Sequence, residues 1–399
     1  MTAPLHLMLF GVPAAVRWDR GIGPEDAAKL ADAWSRCRAE DPTGGADPAS
    51  GLGSDPLAGA EPHDSGTAPV RAVLAVGRAA PFAAEGETFA EFASELTSLL
   101  TVAAIEQRAG ELMMLHASGL ADPVTGRTLA LVARSGMGKT TATRVLATHF
   151  GYVSDETVAI ERSGRILPYP KPLSVIDAPA PAPKVQRGPD ELGLTLASAE
   201  ARLGAVVLLE RQAGLDAAAV EPVGHADALV DLAPQTSALA RIERPLAWLC
   251  GILDECGGAV RVRYTEAHQL ADVLPALLAR EPLPRAWRSA HDAGPVTPPG
   301  HLAAAAVRRR EAVDAVEVPS GDPDCPDVLV LSGSTLVRLG GIAPAVWVAL
   351  AGTTGAGGIS RAELAARLEA TIGLPGGFAP ILAAALSELE QRGLVELGD

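Results

Sequence analysis

The chain reads as an α/β protein on three grounds. β-like and α-like segments alternate from about Leu112 to Arg280, an apolar strand within that span enters a glycine-rich turn and then a helix, and further strand and helix patterns flank the span on both sides. The alternation comprises LMMLHA, TLALVAR, the turn with its helix, GYVSDETVAIER, RILPYP, GAVVLLER and AVRVRY. At 399 residues and 48% apolar content the chain can bury more than one core. Roughly two or three domains are expected.

Residues 5 to 36 pattern as a short strand and an amphipathic helix, GPEDAAKLADAWSRC, with Pro24, Glu25 and Asp26 in its first turn. From Arg38 to Pro69 the chain is Gly, Pro, Asp, Ser and Ala with almost no large apolar residue, so it cannot offset its ordering entropy. A disordered insertion over 38–69 is the expectation. VRAVLAVG then reads as a strand, and ETFAEFASELTSLLTVAAIEQRAG as a long helix with apolar positions three and four residues apart. These form an N-terminal α/β region over 1–111, leading into a core over 112–280.

The core contains LVARSGMGKTTATRVLATHFGYVSDET, residues 131 to 157. Strand, glycine turn, helix and paired acid, in that order, are what holding a nucleoside triphosphate requires. N–H groups freed at Gly136 and Gly138 point inward with the helix N-terminus, whose partial positive charge meets phosphate. Ser135, Gly136, Met137, Gly138, Lys139, Thr140 and Thr141 are the phosphate-binding candidates. Lys139 adds a point charge toward the β and γ phosphates, and Thr140 offers a hydroxyl to Mg²⁺. Ala133 stands where the usual consensus has glycine, a methyl group the backbone tolerates at negative φ. The plain alternative is a strand-to-helix turn with a solvated lysine.

Asp155 and Glu156 follow the loop helix. Read as one strand, adjacent acids point to opposite faces, so only one faces the nucleotide, and which of them is the base stays open. Glu210, near the end of GAVVLLER, is a competing acid for the metal. His116 is read as a phosphate contact, with a structural hydrogen-bonding role as the alternative. DAPAPAPKVQRGP reads as an extended, mobile loop of the lid type. Arg187 within it, and Lys171 between two prolines, are candidate clamps for phosphate or substrate, or solvated charges.

A Pro-rich linker is expected over 281–315, with a polar helix around Ala303 to Asp314, and a separate module over 316–399. There VLVLSGSTLVRLGG reads as a hairpin, IAPAVWVALAG as a short helix with Trp347 inward, and SRAELAARLEATIG as a helix capped by Ser360. FAPILAAALSELEQRGLVEL reads as a third helix turning into a strand. This is the outline of a winged helix. Its helices carry few basic residues and the chain has a net charge of −15, which excludes general binding to nucleic acid or an anionic membrane. A peptide adding a strand beside the wing suits the module better, and a packing or homo-oligomerisation role remains open.

Cys37, Cys250, Cys256 and Cys325 are too irregularly spaced for a disulfide framework or a metal site and read as free thiols. His225, His268 and His291 show no ligand spacing. No apolar run reaches the ~18 residues of a membrane span, and MTAPLHLMLFGV has no basic n-region, so the cytoplasm is the expected compartment.

The runs L-H-A-S-G-L, S-G-M-G-K-T-T, Y-V-S-D-E-T-V-A-I and P-Y-P-K-P-L resemble the HPr serine kinase and its relatives, which share their core with phosphoenolpyruvate carboxykinases. The resemblance covers roughly residues 108 to 280, with the motifs in its first half. It implies ATP and Mg²⁺ as cofactors, His116 before the loop, Lys139 and Thr140 on phosphate and metal, Asp155 as catalytic base and Glu156 with the metal. Glu156 departs from the second Asp of the family. The C-terminal pattern is similar to PqqD-like winged helices, which implies recognition of a ribosomally made precursor peptide. Together they imply a kinase for a Ser or Thr side chain of a peptide or protein. A small-molecule kinase and a non-catalytic nucleotide-binding scaffold are the competing classes.

Overall fold

The computed structural model describes residues 3–39, 70–134, 136–176, 184–198, 200–291, 302–320, 326–354, 357–373 and 377–398. The expected insertion lies outside them from residue 40 on, as do Ser135, residues 177–183 of the expected lid, and Cys325. The insertion's first residues are ordered: Arg38 bridges Leu7, and the Ala39 N–H donates to the His6 carbonyl at 3.1 Å. The chain is a mixed α/β protein with parallel strands in its central sheet, and it forms two compact units.

The first unit comprises residues 1–221, 235–238 and 260–280. It opens with an antiparallel sheet of Leu5–Leu9, Val12–Arg20, Val70–Val76 and Phe82–Gly86. The helix Phe89–Arg108 packs on it through Phe92, Leu96, Leu100 and Ala104, all fully buried. Thr88 and Glu91 close a capping box that fixes where this helix begins. The same apolar cluster takes in Met114, Ala159 and Tyr169, so the N-terminal region and the expected core share one interior across residue 111.

Six strands form the central sheet, in the order Ala219–Val223, Ala259–Tyr264, Arg202–Arg211, Arg127–Val132, Ala117–Ala121, Gly151–Ser154. Arg202–Arg211 and Arg127–Val132 are parallel, and Ala117–Ala121 pairs antiparallel with both Arg127–Val132 and Gly151–Ser154. Near-continuous burial of these strands reflects cover on both faces. At the bulge between Leu203 and Ala205 a Cβ on Gly204 would lie 2.9 Å from Leu278 Cδ2 and 3.0 Å from Arg127 Cβ, so only glycine fits there unstrained. A smaller sheet of Ile166–Leu167, Val158–Ile160, Met113–Leu115 and Thr236–Ser237 adjoins the site described below.

The second unit comprises residues 222–234, 239–259 and 281–399. The helices His225–Leu232 and Pro245–Glu255, inside the span expected for the core, belong here. Fully buried Asp314 explains part of this: its carboxylate accepts the Ala247 N–H at 3.0 Å and its own neighbour Ala315 N–H at 2.9 Å, with Arg244 Nη1 at 3.5 Å. Asp254 adds a second tie, accepting from Trp287 Nε1 at 2.8 Å and facing His225 Nε2 at 2.9 Å. The polar helix expected around Ala303 to Asp314 is instead the two strands Ala306–Arg309 and Asp314–Val318. Burial of both arginines permits this, since Glu396 pairs with Arg308 at 3.0 Å and the Trp347 carbonyl and ring receive Arg309. Around them lie the hairpin Asp327–Ser332 and Thr335–Arg338 and the helices Ala343–Ala349, Arg361–Ile372 and Phe378–Gln391. The Ser360 hydroxyl caps the second of these by accepting from the Glu363 N–H at 3.1 Å. Among the described residues no helix is long and apolar enough to cross a membrane.

Candidate active site

The buried strand Arg127–Val132 runs through Ala133, 4% exposed, to an exposed Arg134, whose carbonyl accepts the Met137 N–H at 3.2 Å. Gly136 and Gly138 have φ of +82° and +83°, a region glycine enters without strain. A Cβ at Gly136 would meet nothing within 4 Å, so open space flanks the turn. Gly138 begins the helix Lys139–Leu146, whose first turn has neither a side-chain cap nor an acid. Its leading N–H groups and dipole are therefore available to an anion.

Residues that the sequence reading did not single out hold this turn in place. Tyr264, ending its strand, donates its hydroxyl to the Met137 carbonyl at 3.2 Å. Thr143 donates to the Lys139 carbonyl at 2.9 Å, and its oxygen lies 2.6 Å from Ser118 Oγ on the neighbouring strand. Only the position of Tyr264 at a strand end hinted at such a role. Ser118 and Thr143 carry no signal in a single sequence.

Lys139 reaches back from the helix and donates to the His116 carbonyl at 3.3 Å, while the His116 N–H donates to the Gln235 carbonyl at 2.6 Å. Burial lowers the Lys139 ammonium to about 8, against the pull of Asp155 and Glu156. The His116 imidazole is half-buried and is lowered by burial first and by Lys139 next, which favours its neutral form at neutral pH. Thr140 is half-buried and Thr141 exposed on the same first turn.

The strand Gly151–Ser154 ends before the acids, because Ser154 Oγ accepts the N–H groups of Glu156 and Thr157 at 3.2 and 3.1 Å. Asp155 and Glu156 thus sit in a bend, and the expectation that strand alternation sends them to opposite faces does not hold. Both meet Lys171 Nζ, at 3.1 Å for Asp155 Oδ1 and 3.0 Å for Glu156 Oε2. The Lys171 ammonium, 3% exposed, also donates to the Pro172 carbonyl at 3.1 Å. Its three protons are thereby used within the protein, so Lys171 is neither a solvated charge nor a clamp reaching for substrate. Burial alone would lower Lys171, but the two carboxylates carry it well above the ordinary lysine range. Burial alone would raise Glu156, yet Lys171, His116 and Lys139 together bring it below its usual value. The Tyr152 hydroxyl lies 3.3 Å from Asp155 Oδ1 and 3.0 Å from the Lys171 carbonyl. The two acids differ in access: the Asp155 side chain is 5% exposed and that of Glu156 34%.

Arg187 falls elsewhere. It lies on the strand Val185–Arg187, pairs with Glu191, and lines a cavity of about 590 Å³ together with Lys29, Phe89, Ala93 and Asp190 and none of the described residues of the glycine-rich turn. Glu210, the competing acid, faces Arg263 at 3.4 Å and Arg261 at 3.6 Å. For a triphosphate with Mg²⁺ the residues present fit: an uncapped helix start, open space at Gly136, and hard oxygen donors on Thr140 and Glu156.

No protein-family model matches the chain, and no curated protein matches it. Among solved structures it is similar to the Hpr(Ser) kinase/phosphatase from Coxiella burnetii, at 10% identity and a TM-score of 0.20, over 42% of this chain and 93% of that one. A likeness this slight does not bear on function.

Proposed function

We propose that this chain is an ATP- and Mg²⁺-dependent kinase that transfers the γ-phosphate to a Ser or Thr hydroxyl of a peptide or protein, a ribosomally made precursor peptide being the intended substrate. One observation carries the reading: the loop lysine, His116 and both acids gather in one charged cluster beside an uncapped helix start.

Phosphoryl transfer needs positioning and charge neutralisation more than covalent help from the protein. The N–H groups from Gly136 to Thr141 orient the phosphate oxygens, and Lys139 offsets their charge. Thr140 and Glu156 are the residues that would hold Mg²⁺, which when bound neutralises charge on the β and γ phosphates. Asp155, the less exposed acid, is suited to accept the proton of the incoming hydroxyl. His116 stays neutral beside the lysine and serves as a hydrogen-bonding partner for phosphate.

For the peptide, the relevant part is the module over 316–399, read as a PqqD-like winged helix. A cavity of about 470 Å³ opens there between Arg361–Ile372 and Phe378–Gln391, lined by Arg361, Ala365, Phe378, Leu382, Leu386 and Leu397. An extended peptide bearing apolar side chains and an acid matches that lining.

The test is incubation of the full chain with ATP, Mg²⁺ and candidate precursor peptides carrying Ser and Thr, with phosphate mapped by mass spectrometry. Phosphorylation at a Ser or Thr that Asp155→Asn abolishes is the expected result; its absence would overturn the reading. Ala383→Glu, at an exposed position of that lining, should reduce peptide phosphorylation while leaving ATP uptake intact. A kinase for a small molecule would be indifferent to that substitution.

A further inference from the structure

Lys171 occupies the place between two carboxylates. Its ammonium is 3.1 Å from Asp155 Oδ1 and 3.0 Å from Glu156 Oε2, it is 3% exposed, and Pro170 and Pro172 stiffen the backbone on either side. The Pro172 carbonyl takes its third proton, and the Tyr152 hydroxyl braces both the Lys171 carbonyl and Asp155. Each acid thus spends one oxygen on the lysine, and the pair carries a net charge of one instead of two. Among the described residues no three His, Cys, Asp or Glu side chains gather as a metal-binding group. Two half-neutralised carboxylates are a poor site for a cation that prefers six or more oxygen donors.

We infer that Lys171 prevents the acid pair from taking up a divalent cation on its own, so that the metal enters only in company with a triphosphate, whose oxygens complete the donor set. Lys171 is thus a positioning residue: it acts through Asp155 and Glu156 and touches no substrate. The inference rests on the phosphotransferase reading for the role of the triphosphate, while the block on the empty acid pair stands on geometry alone. Its consequence is an order of loading. An enzyme whose acids hold metal beforehand would bind free nucleotide onto metal, whereas this chain would take the nucleotide already carrying its ion.

Manganese(II) reports on this directly, because its free-ion resonance signal disappears on binding. Full-length protein without nucleotide is expected to bind Mn²⁺ weakly. Lys171→Met and Lys171→Gln should create a nucleotide-independent site, with affinity raised roughly ten- to a hundredfold, the scale on which one neighbouring group alters a metal site. Lys171→Arg, which keeps the charge, should behave as the parent. A lysine serving only to stabilise the fold would give variants that melt earlier with no new Mn²⁺ site, and that result overturns the inference. Tight Mn²⁺ uptake by the nucleotide-free parent overturns it too, whether or not the variants fold. Calorimetry of ATP with Mg²⁺ on the parent tests the underlying reading separately: no uptake there removes the kinase while the Mn²⁺ comparison still decides on Lys171.

Discussion

Asp155 and Glu156 are adjacent in sequence but unequal in surroundings, and the proposed division of roles between them rests on that inequality. Asp155 is buried against Lys171 and Tyr152, whereas Glu156 keeps a third of its side chain open. On the proposed kinase reading Asp155→Asn keeps the shape and removes the base, so turnover should fall roughly 10²- to 10⁴-fold with ATP uptake unchanged, as single-turnover kinetics and calorimetry would read. Glu156→Gln should instead raise the Mg²⁺ concentration needed for half-maximal rate. Lys139→Met removes a charge-assisted contact of about 1.5–3 kcal/mol, so ATP affinity should weaken roughly ten- to a hundredfold by calorimetry. These residues were legible beforehand because their chemistry is local: glycines, lysine, hydroxyl and acids fall within one stretch of chain. The bridge from Lys171 was not. It needs the bend that Ser154 makes and the proline-flanked return at Pro170 and Pro172, and neither is a property of the acids' own neighbourhood.

Among the elements, the strand ending in Tyr264 does the most for the site without belonging to it. Its terminal hydroxyl holds the carbonyl of half-buried Met137, which ties the turn to the sheet. Tyr264→Phe should cost about 1 kcal/mol of loop order and lower ATP affinity several-fold, while thermal unfolding moves little. A fall in melting temperature with unchanged affinity would show that the bond serves the sheet and not the turn. Long periodic elements were the readable ones: the helix Phe89–Arg108 and the helix pattern from Ser360 onward are marked by their apolar spacing and their caps. The strand Ala306–Arg309 was not readable. Two arginines in succession look like a solvated face, and nothing local shows that Glu396 and the Trp347 carbonyl await them.

For the whole molecule, thiol and phenol groups set a limit in alkali. Burial pushes Cys37 and Cys250 above the ordinary thiol value of 9.0, and Tyr152 and Tyr169 above 10.0. Below pH 9.0 a thiol is protonated both folded and unfolded, so it adds no pH dependence. Above that the unfolded chain releases a proton which the folded chain keeps, and stability falls by up to about 1.4 kcal/mol per pH unit for each such group. Urea midpoints at about pH 8 and about pH 10 should therefore differ clearly, and Cys37→Ala should flatten the difference even as it lowers both.

The alternation of the two units along the chain bears on synthesis. The first unit is not complete until its last segment, residues 260–280, has left the ribosome, and by then the helices His225–Leu232 and Pro245–Glu255 have already emerged. Asp314, which receives the N–H of Ala247, is made later still. During that interval the apolar faces of both helices wait for partners not yet translated, so the pace of elongation past residue 280 becomes a determinant of how much chain folds and how much aggregates.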